Sequence, residues 1–138
     1  APALGYSEDL LRLLAELGFA YDSSIKVRYI YKKGIDHTLP YLHPYGNGIW
    51  ELPLAVSDDL LFRDRQFTED DALQTIDLIV TDVKCRCSFL MINTHPVNLI
   101  GRFGFYEKLI KRLVEDPDVQ VVLPSALVES LATIESGA

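Results

Sequence analysis

The residue best placed for chemistry in this sequence is His95, which follows a short apolar segment. Residues Phe89 to Ile92 are apolar, and Asn93, Thr94, His95 and Pro96 come directly after them. A short apolar run bounded by turn-forming residues predicts a strand buried on both faces. Pro96 disfavours helical dihedrals at the residue before it, so His95 is expected to be extended at the strand exit. Because catalytic and binding groups cluster at the C-terminal ends of parallel strands, His95 is a candidate site residue. The alternative is a histidine in a surface loop.

A second polar residue, Asp22, follows the predicted short strand Phe19-Ala20-Tyr21. It is a candidate for the same kind of pocket, or a turn residue that caps local amides. The remaining histidines, His37 and His43, lie in an irregular segment over residues 32–48 that is rich in glycine and proline. Three histidines can bind zinc, so His37, His43 and His95 form an alternative metal set, although no local spacing is diagnostic of one.

The two cysteines, Cys85 and Cys87, are separated by one residue. Residues so close in sequence rarely form a good disulfide, and two thiolates alone do not complete a zinc site. We therefore interpret them as reduced thiols near the entrance of the central strand. This interpretation favours a reducing compartment, such as the cytoplasm.

The composition restricts the possible partners of the chain. The 138 residues carry a net charge of -7, which argues against binding to nucleic acid, because such binding depends on lysine and arginine. No apolar run approaches the roughly 20 residues that a membrane span requires. The length predicts a single domain over residues 1–138.

The order of elements predicts an α/β fold. Leu10 to Leu17 follow the possible N-cap Ser7 as a helix, and Thr68 begins a second helix through Val83. A third helix ends before Pro117, and Val119 to Leu123 form another all-apolar segment that predicts a strand. Helices that alternate with strands predict a mostly parallel sheet covered on its faces.

Several segments together resemble the C-terminal half of the polysaccharide deacetylase (NodB-homology) family. Asn93-Thr94-His95-Pro96 is similar to the family's fifth motif, and Val119 to Leu123 to its closing strand. Gly48 to Leu54 resembles the "GxWExP" segment of members from exopolysaccharide or O-antigen gene clusters. Ala1-Pro2 resembles the tail of the third motif, and residues 14–24 resemble the helix and strand that follow it.

The resemblance implies a partial or distorted (β/α) barrel and a metal-dependent removal of an N- or O-acetyl group from a sugar. In that scheme His95 is the general acid that protonates the leaving group. Asp22 is a pocket residue or orients His95. Trp50 lines the sugar site or, alternatively, belongs to the core. The divalent metal, usually zinc, polarises the acetyl carbonyl and activates the attacking water.

The sequence departs from the family pattern because the first two motifs, with the base and all metal ligands, are absent. The chain begins at Ala1 without a methionine, which we interpret as a processed, trimmed or partial chain. The resemblance therefore implies that zinc is bound by residues outside this chain and that an N-terminal half of the barrel is its partner, together with a carbohydrate substrate. The alternative is a non-catalytic carbohydrate-binding or structural domain that keeps the same scaffold.

Overall fold

The structure is a computed structural model that describes residues 7–25, 39–43, 48–86 and 88–136. Five helices, a short π-helical turn and five short strands make up this part of the chain. In chain order they are α1 (Glu8–Glu16), β1 (Tyr21–Asp22), β2 (Tyr41–Leu42), β3 (Trp50–Glu51), β4 (Leu54–Ser57), the π turn (Leu60–Asp64), α2 (Glu69–Cys85), β5 (Met91–Asn93), α3 (Pro96–Gly101), α4 (Phe103–Glu115) and α5 (Pro124–Ser136).

The ends of α1 and α2 follow local capping rules. The Ser7 hydroxyl accepts the Leu10 amide at the start of α1. Gly18 follows the helix at φ +79, where its amide and the Phe19 amide bind carbonyls of the last turn. At the start of α2, the Thr68 hydroxyl accepts the Asp71 amide while the Asp71 carboxylate accepts the Thr68 amide. This reciprocal capping box confirms the predicted helix start.

The strands form two small sheets that share one extended segment. Strand β3 pairs in parallel with β1 and antiparallel with β2, while β4 pairs in parallel with β5. The β1 pairing continues past the strand ends, because the amides of Leu52 and Leu54 donate to the carbonyls of Asp22 and Ile25. The α/β class and the parallel pairing are confirmed, while no closed barrel is seen among the described residues.

The core has two parts. The larger packs α2 and α4 against β4 and the π turn, around Leu73, Ile76, Phe105 and Leu109. The smaller packs Trp50 and Leu52 against Val128 of α5. The helix predicted from Thr68 through Val83 is confirmed, and its Ala72, Ile76, Ile79 and Val83 are buried while Val80 is partly buried.

Several sequence predictions differ from the structure. The strand before His95, predicted to be buried on both faces, is only partly buried over Met91–Asn93. Val119 to Leu123 is not a strand: the segment pairs with none of the described strands, and Leu123 is 72% exposed. A strand needs a neighbouring backbone edge, which an apolar run by itself does not provide. The predicted irregular segment 32–48 also contains a strand, because Tyr41 and Leu42 pair with β3. Residues 32–38 and 44–47 of that segment lie outside the described part.

The Cys85 thiol is exposed and free at the last residue of α2, one element earlier than predicted. Cys87 and the Ala1-Pro2 segment lie outside the described residues. Among the helices that the structure describes, none combines the length and the apolar character needed to cross a bilayer.

Candidate functional site

The candidate site is at the C-terminal ends of two paired parallel strands, β4 and β5. Ser57 and Asn93 are the last register partners of this pair. Asp58 follows β4 directly, and His95 follows β5 after one intervening residue. Because the two strands run in the same direction, their ends bring these side chains together.

The Asp58 carboxylate holds His95 through two hydrogen bonds. His95 Nδ1 lies 2.5 Å from Asp58 Oδ1, and the His95 amide donates to Asp58 Oδ2 at 2.7 Å. An ionised carboxylate only accepts hydrogen bonds, so Nδ1 carries the hydrogen and Nε2 is the second titratable position of the ring. The carboxylate is almost fully buried, whereas the imidazole side chain is 38% exposed.

A third donor, Tyr106 of α4, fixes the same carboxylate. Its hydroxyl donates to Asp58 Oδ2 at 2.6 Å, and its side chain is buried against Phe105. Next to this pair, Asp59 accepts Asn98 Nδ2 at 3.1 Å and pairs with Arg63 at 3.1 Å. The π turn and helices α3 and α4 therefore all contribute to positioning the two acids.

The pKa values of all three groups are shifted by burial and by the hydrogen bonds among them. The hydrogen bond to Asp58 raises the pKa of His95 above its ordinary value. Burial alone would raise the pKa of Asp58, but the hydrogen bonds from Tyr106 and His95 outweigh burial and hold that pKa below its ordinary value. Burial, together with the neighbouring Asp58, raises the pKa of Tyr106. The pair is therefore an imidazolium beside a carboxylate over a wider pH range than for isolated side chains.

A second polar cluster is buried in the three-stranded sheet. His43 Nε2 lies 2.9 Å from Glu51 Oε2, and both side chains are fully buried. Asp22 completes the cluster and accepts the Ser24 hydroxyl at 2.9 Å. Burial raises the pKa of Glu51, an effect to which the nearby Asp22 adds.

Two groups of side chains have the residue types and spacing of metal ligands. One is Asp58, Asp59 and His95, and the other is Asp22, His43 and Glu51; in each, the ligand atoms lie within 4.8 Å of one another. In both groups the protein's own donors bind the carboxylates, and the histidine contacts one of them. The groups differ in exposure, because the His95 side chain is 38% exposed whereas those of His43 and Glu51 are fully buried. The exposed His95 can exchange protons with a substrate, so the first group fits proton transfer. The second group offers the mixed nitrogen and oxygen ligands that suit zinc.

The structure separates the predicted site residues. Asp22 joins His43 and Glu51, and the carboxylate that orients His95 belongs to Asp58 instead. Trp50 is only 7% exposed in the core, which agrees with the core alternative and leaves little of its ring for a sugar. His37 lies outside the described residues. His43 and His95 belong to different clusters, so these two histidines do not bind one metal ion together as the three-histidine alternative requires.

Three residues of the two clusters were not predicted from the sequence as site residues: Asp58, Tyr106 and Glu51. His43 was predicted as a possible metal ligand, but with other partners. A signal for Asp58 was present, because it follows the apolar run Leu54 to Val56 as His95 follows its own run. Tyr106 lies in the predicted third helix, and no local pattern in the sequence assigns a partner to its hydroxyl. His43 and Glu51 meet only through pairing between β2 and β3.

Comparison with known proteins identifies no relative. No family model, no curated protein and no solved structure matches this chain.

Proposed function

We propose that this chain supplies the proton-donating part of a sugar deacetylase, which hydrolyses an N- or O-acetyl group with an N-terminal half as its partner. The observation that carries the proposal is the Asp58–His95 contact at the ends of β4 and β5. The choice of an acetylated sugar as substrate depends on the resemblance of residues 93–96 and 48–54 to deacetylase segments.

In this proposal, His95 donates a proton to the departing amine or alkoxide. The hydrogen bond to Asp58 raises the pKa of His95, so more of the imidazole is protonated near neutral pH. Asp58 is a positioning residue: it fixes the ring through Nδ1 and leaves Nε2 as the nitrogen that transfers the proton. Tyr106 holds the carboxylate in place from α4.

The proposal places the zinc ion and the general base on residues outside this chain. When bound, zinc would polarise the acetyl carbonyl and lower the pKa of the attacking water. The contribution of the chain itself is the acid and its support by the buried carboxylate.

The test is an acetate-release assay on the full polypeptide encoded by the gene that carries this chain. Chitooligosaccharides and O-acetylated xylooligosaccharides are suitable substrates, and the zinc content is measured on the same preparation. We expect His95→Gln to lower kcat by a factor of about 10²–10⁴, the usual contribution of a general acid, without loss of zinc. The matched control Asp70→Asn, an exposed carboxylate on α2, should leave kcat unchanged.

Two outcomes would contradict the proposal. One is full activity in the His95→Gln protein. The other is the absence of acetate release by the wild type from either substrate class. In the second case, oligosaccharide binding measured by calorimetry would favour the non-catalytic carbohydrate-binding alternative.

A further inference from the structure

Three neighbouring strands bring one possible metal ligand each to the same face of a sheet. Asp22 and Glu51 are direct register partners in the parallel pair β1 and β3. On the other side of β3, Tyr41 is the register partner of Glu51, and His43 lies two residues further along. Because side chains alternate along a strand, His43 shares the face of Tyr41 and Glu51.

The opposite face of this sheet is apolar. Trp50 and Leu52 pack there against Val128, with Tyr21 and Leu42 beside them. The sheet thus has one apolar face against α5 and one face that carries an aspartate, a histidine and a glutamate. Such a set of polar side chains on a buried face needs a physical explanation.

The three side chains are buried and lie close together. Asp22 is 6% exposed, His43 is 4% exposed and Glu51 is 0% exposed. One ligand atom from each of the three lies within 4.8 Å of the others. One imidazole and two carboxylates at this spacing can bind a single divalent cation.

We propose that Asp22, His43 and Glu51 bind one divalent transition-metal ion, with zinc as the best match to one imidazole and two carboxylates. The contacts around the ligands support this role, because they fix the carboxylates. The Ile25 amide donates to Glu51 Oε1 at 2.9 Å, which leaves Oε2 facing His43. The Ser24 hydroxyl likewise binds Asp22 Oδ1. Hydrogen bonds of this kind orient metal ligands in known sites.

The ion would have a structural role. It would link three strands that are distant in sequence. Glu51 is 8 residues after His43, and its separation from Asp22 equals the 29 residues between the neighbouring hydrogen-bonded residues Ser23 and Leu52. Because the ligands come together only in the folded state, binding of the ion stabilises the fold. The site is separate from the Asp58–His95 pair and does not depend on the proposed reaction.

The first experiment titrates metal into the chain after removal of bound ions with a chelator. We expect one equivalent of Co²⁺ to bind and to give visible absorption bands that Zn²⁺ then removes by displacement. Saturating Zn²⁺ should raise the melting temperature by about 5–10 °C, because it binds only the folded state. The absence of both bands and stabilisation at roughly 1 mM metal, where even weak specific sites bind, would overturn the proposal.

Variants then assign the site. Glu51→Gln and Asp22→Asn should weaken Co²⁺ binding by at least about 100-fold, since removal of a ligand should cost no less than removal of a supporting hydrogen bond. His95→Gln and Asp58→Asn are the matched controls from the other cluster and should bind as the wild type does. Loss of binding in the controls, with binding kept in the first two variants, would overturn the assignment.

X-ray absorption of the Zn²⁺-loaded wild type provides a second measurement if the variants do not fold. We expect a first shell of nitrogen and oxygen that includes one imidazole. A sulfur ligand, as from the exposed Cys85, or a shell without imidazole would overturn the proposal. Activity of the full polypeptide is not a readout here, so failure of this inference is distinguishable from failure of the deacetylase proposal.

Discussion

At the scale of single residues, the chemistry of His95 depends on a carboxylate that is 37 positions away in sequence. Asp58 is fixed by Tyr106 and by the His95 backbone, so its position does not depend on the protonation state of the imidazole. The hydrogen bond to Asp58 raises the pKa of His95, and a substitution at Asp58 tests this effect.

Asp58→Asn should lower the pKa of His95 towards its ordinary value of 6.5, because the charged hydrogen-bond acceptor is lost. The pKa is measured by NMR titration of the imidazole in both proteins. The control Asp70→Asn removes an exposed carboxylate of α2 and should leave the titration unchanged. An unchanged His95 titration in Asp58→Asn would show that the contact does not control its protonation.

The stability contributed by the His95 imidazolium should depend on pH. A folded-state pKa above 6.5 means that the folded protein binds the proton more tightly than the unfolded chain. The stabilisation is therefore complete below pH 6.5 and is lost as the pH rises through the folded-state value.

The melting temperatures of the wild type and of His95→Gln should accordingly differ more at pH 6 than at pH 9. A histidine with a raised pKa is mostly protonated at roughly pH 6 and mostly neutral at roughly pH 9. In an Asp58→Asn background the same comparison should lose most of its pH dependence. A difference that grows with pH would contradict the direction of the shift.

At the scale of elements, α2 is the main support of the site. It packs the larger core against α4, which carries Tyr106, and against β4, which leads to Asp58. The strands themselves are only two to four residues long and gain little stability from their own pairing. The positions of the catalytic candidates therefore depend on helix packing.

Two leucines of α2 provide a matched test of this dependence. Leu73 is 2% exposed and Leu78 is 73% exposed, so the same leucine-to-alanine change removes core packing only at the first. We expect Leu73→Ala to lower the free energy of unfolding by about 2–5 kcal/mol and Leu78→Ala to change it by less than about 0.5 kcal/mol. Both are measured by urea denaturation, and equal losses would show that α2 does not pack as described.

At the scale of the whole molecule, the chain exposes large apolar side chains next to the site. Four of them lie between residues 97 and 103: Val97, Leu99, Ile100 and Phe103. Val121 and Leu123, which lie before α5, are exposed as well. Clustered exposed apolar side chains favour association with another protein surface. The N-terminal half of a barrel, which the resemblance implies as the partner, remains a prediction.

The isolated chain should therefore self-associate as its concentration rises, as measured by sedimentation velocity. The double change Ile100→Ser and Phe103→Ser should reduce this association, whereas Lys111→Ser, at an exposed polar position of α4, should not. A concentration of roughly 0.1 mM is above the Kd of most specific interfaces. If the chain stays monomeric up to that concentration and the double change has no effect, this expectation is wrong.

The sequence by itself determined what depends on local interactions. The capped starts at Ser7 and Thr68 were predictable because helix hydrogen bonds and caps join residues three or four positions apart. The position of His95 after a strand was predictable from its apolar run and Pro96. Only the tertiary structure decided which carboxylate meets His95, that His43 meets Glu51, and that residues 119–123 pair with none of the strands in the described part of the chain. These features depend on strand pairing and register between distant segments, and no local pattern of residues specifies them.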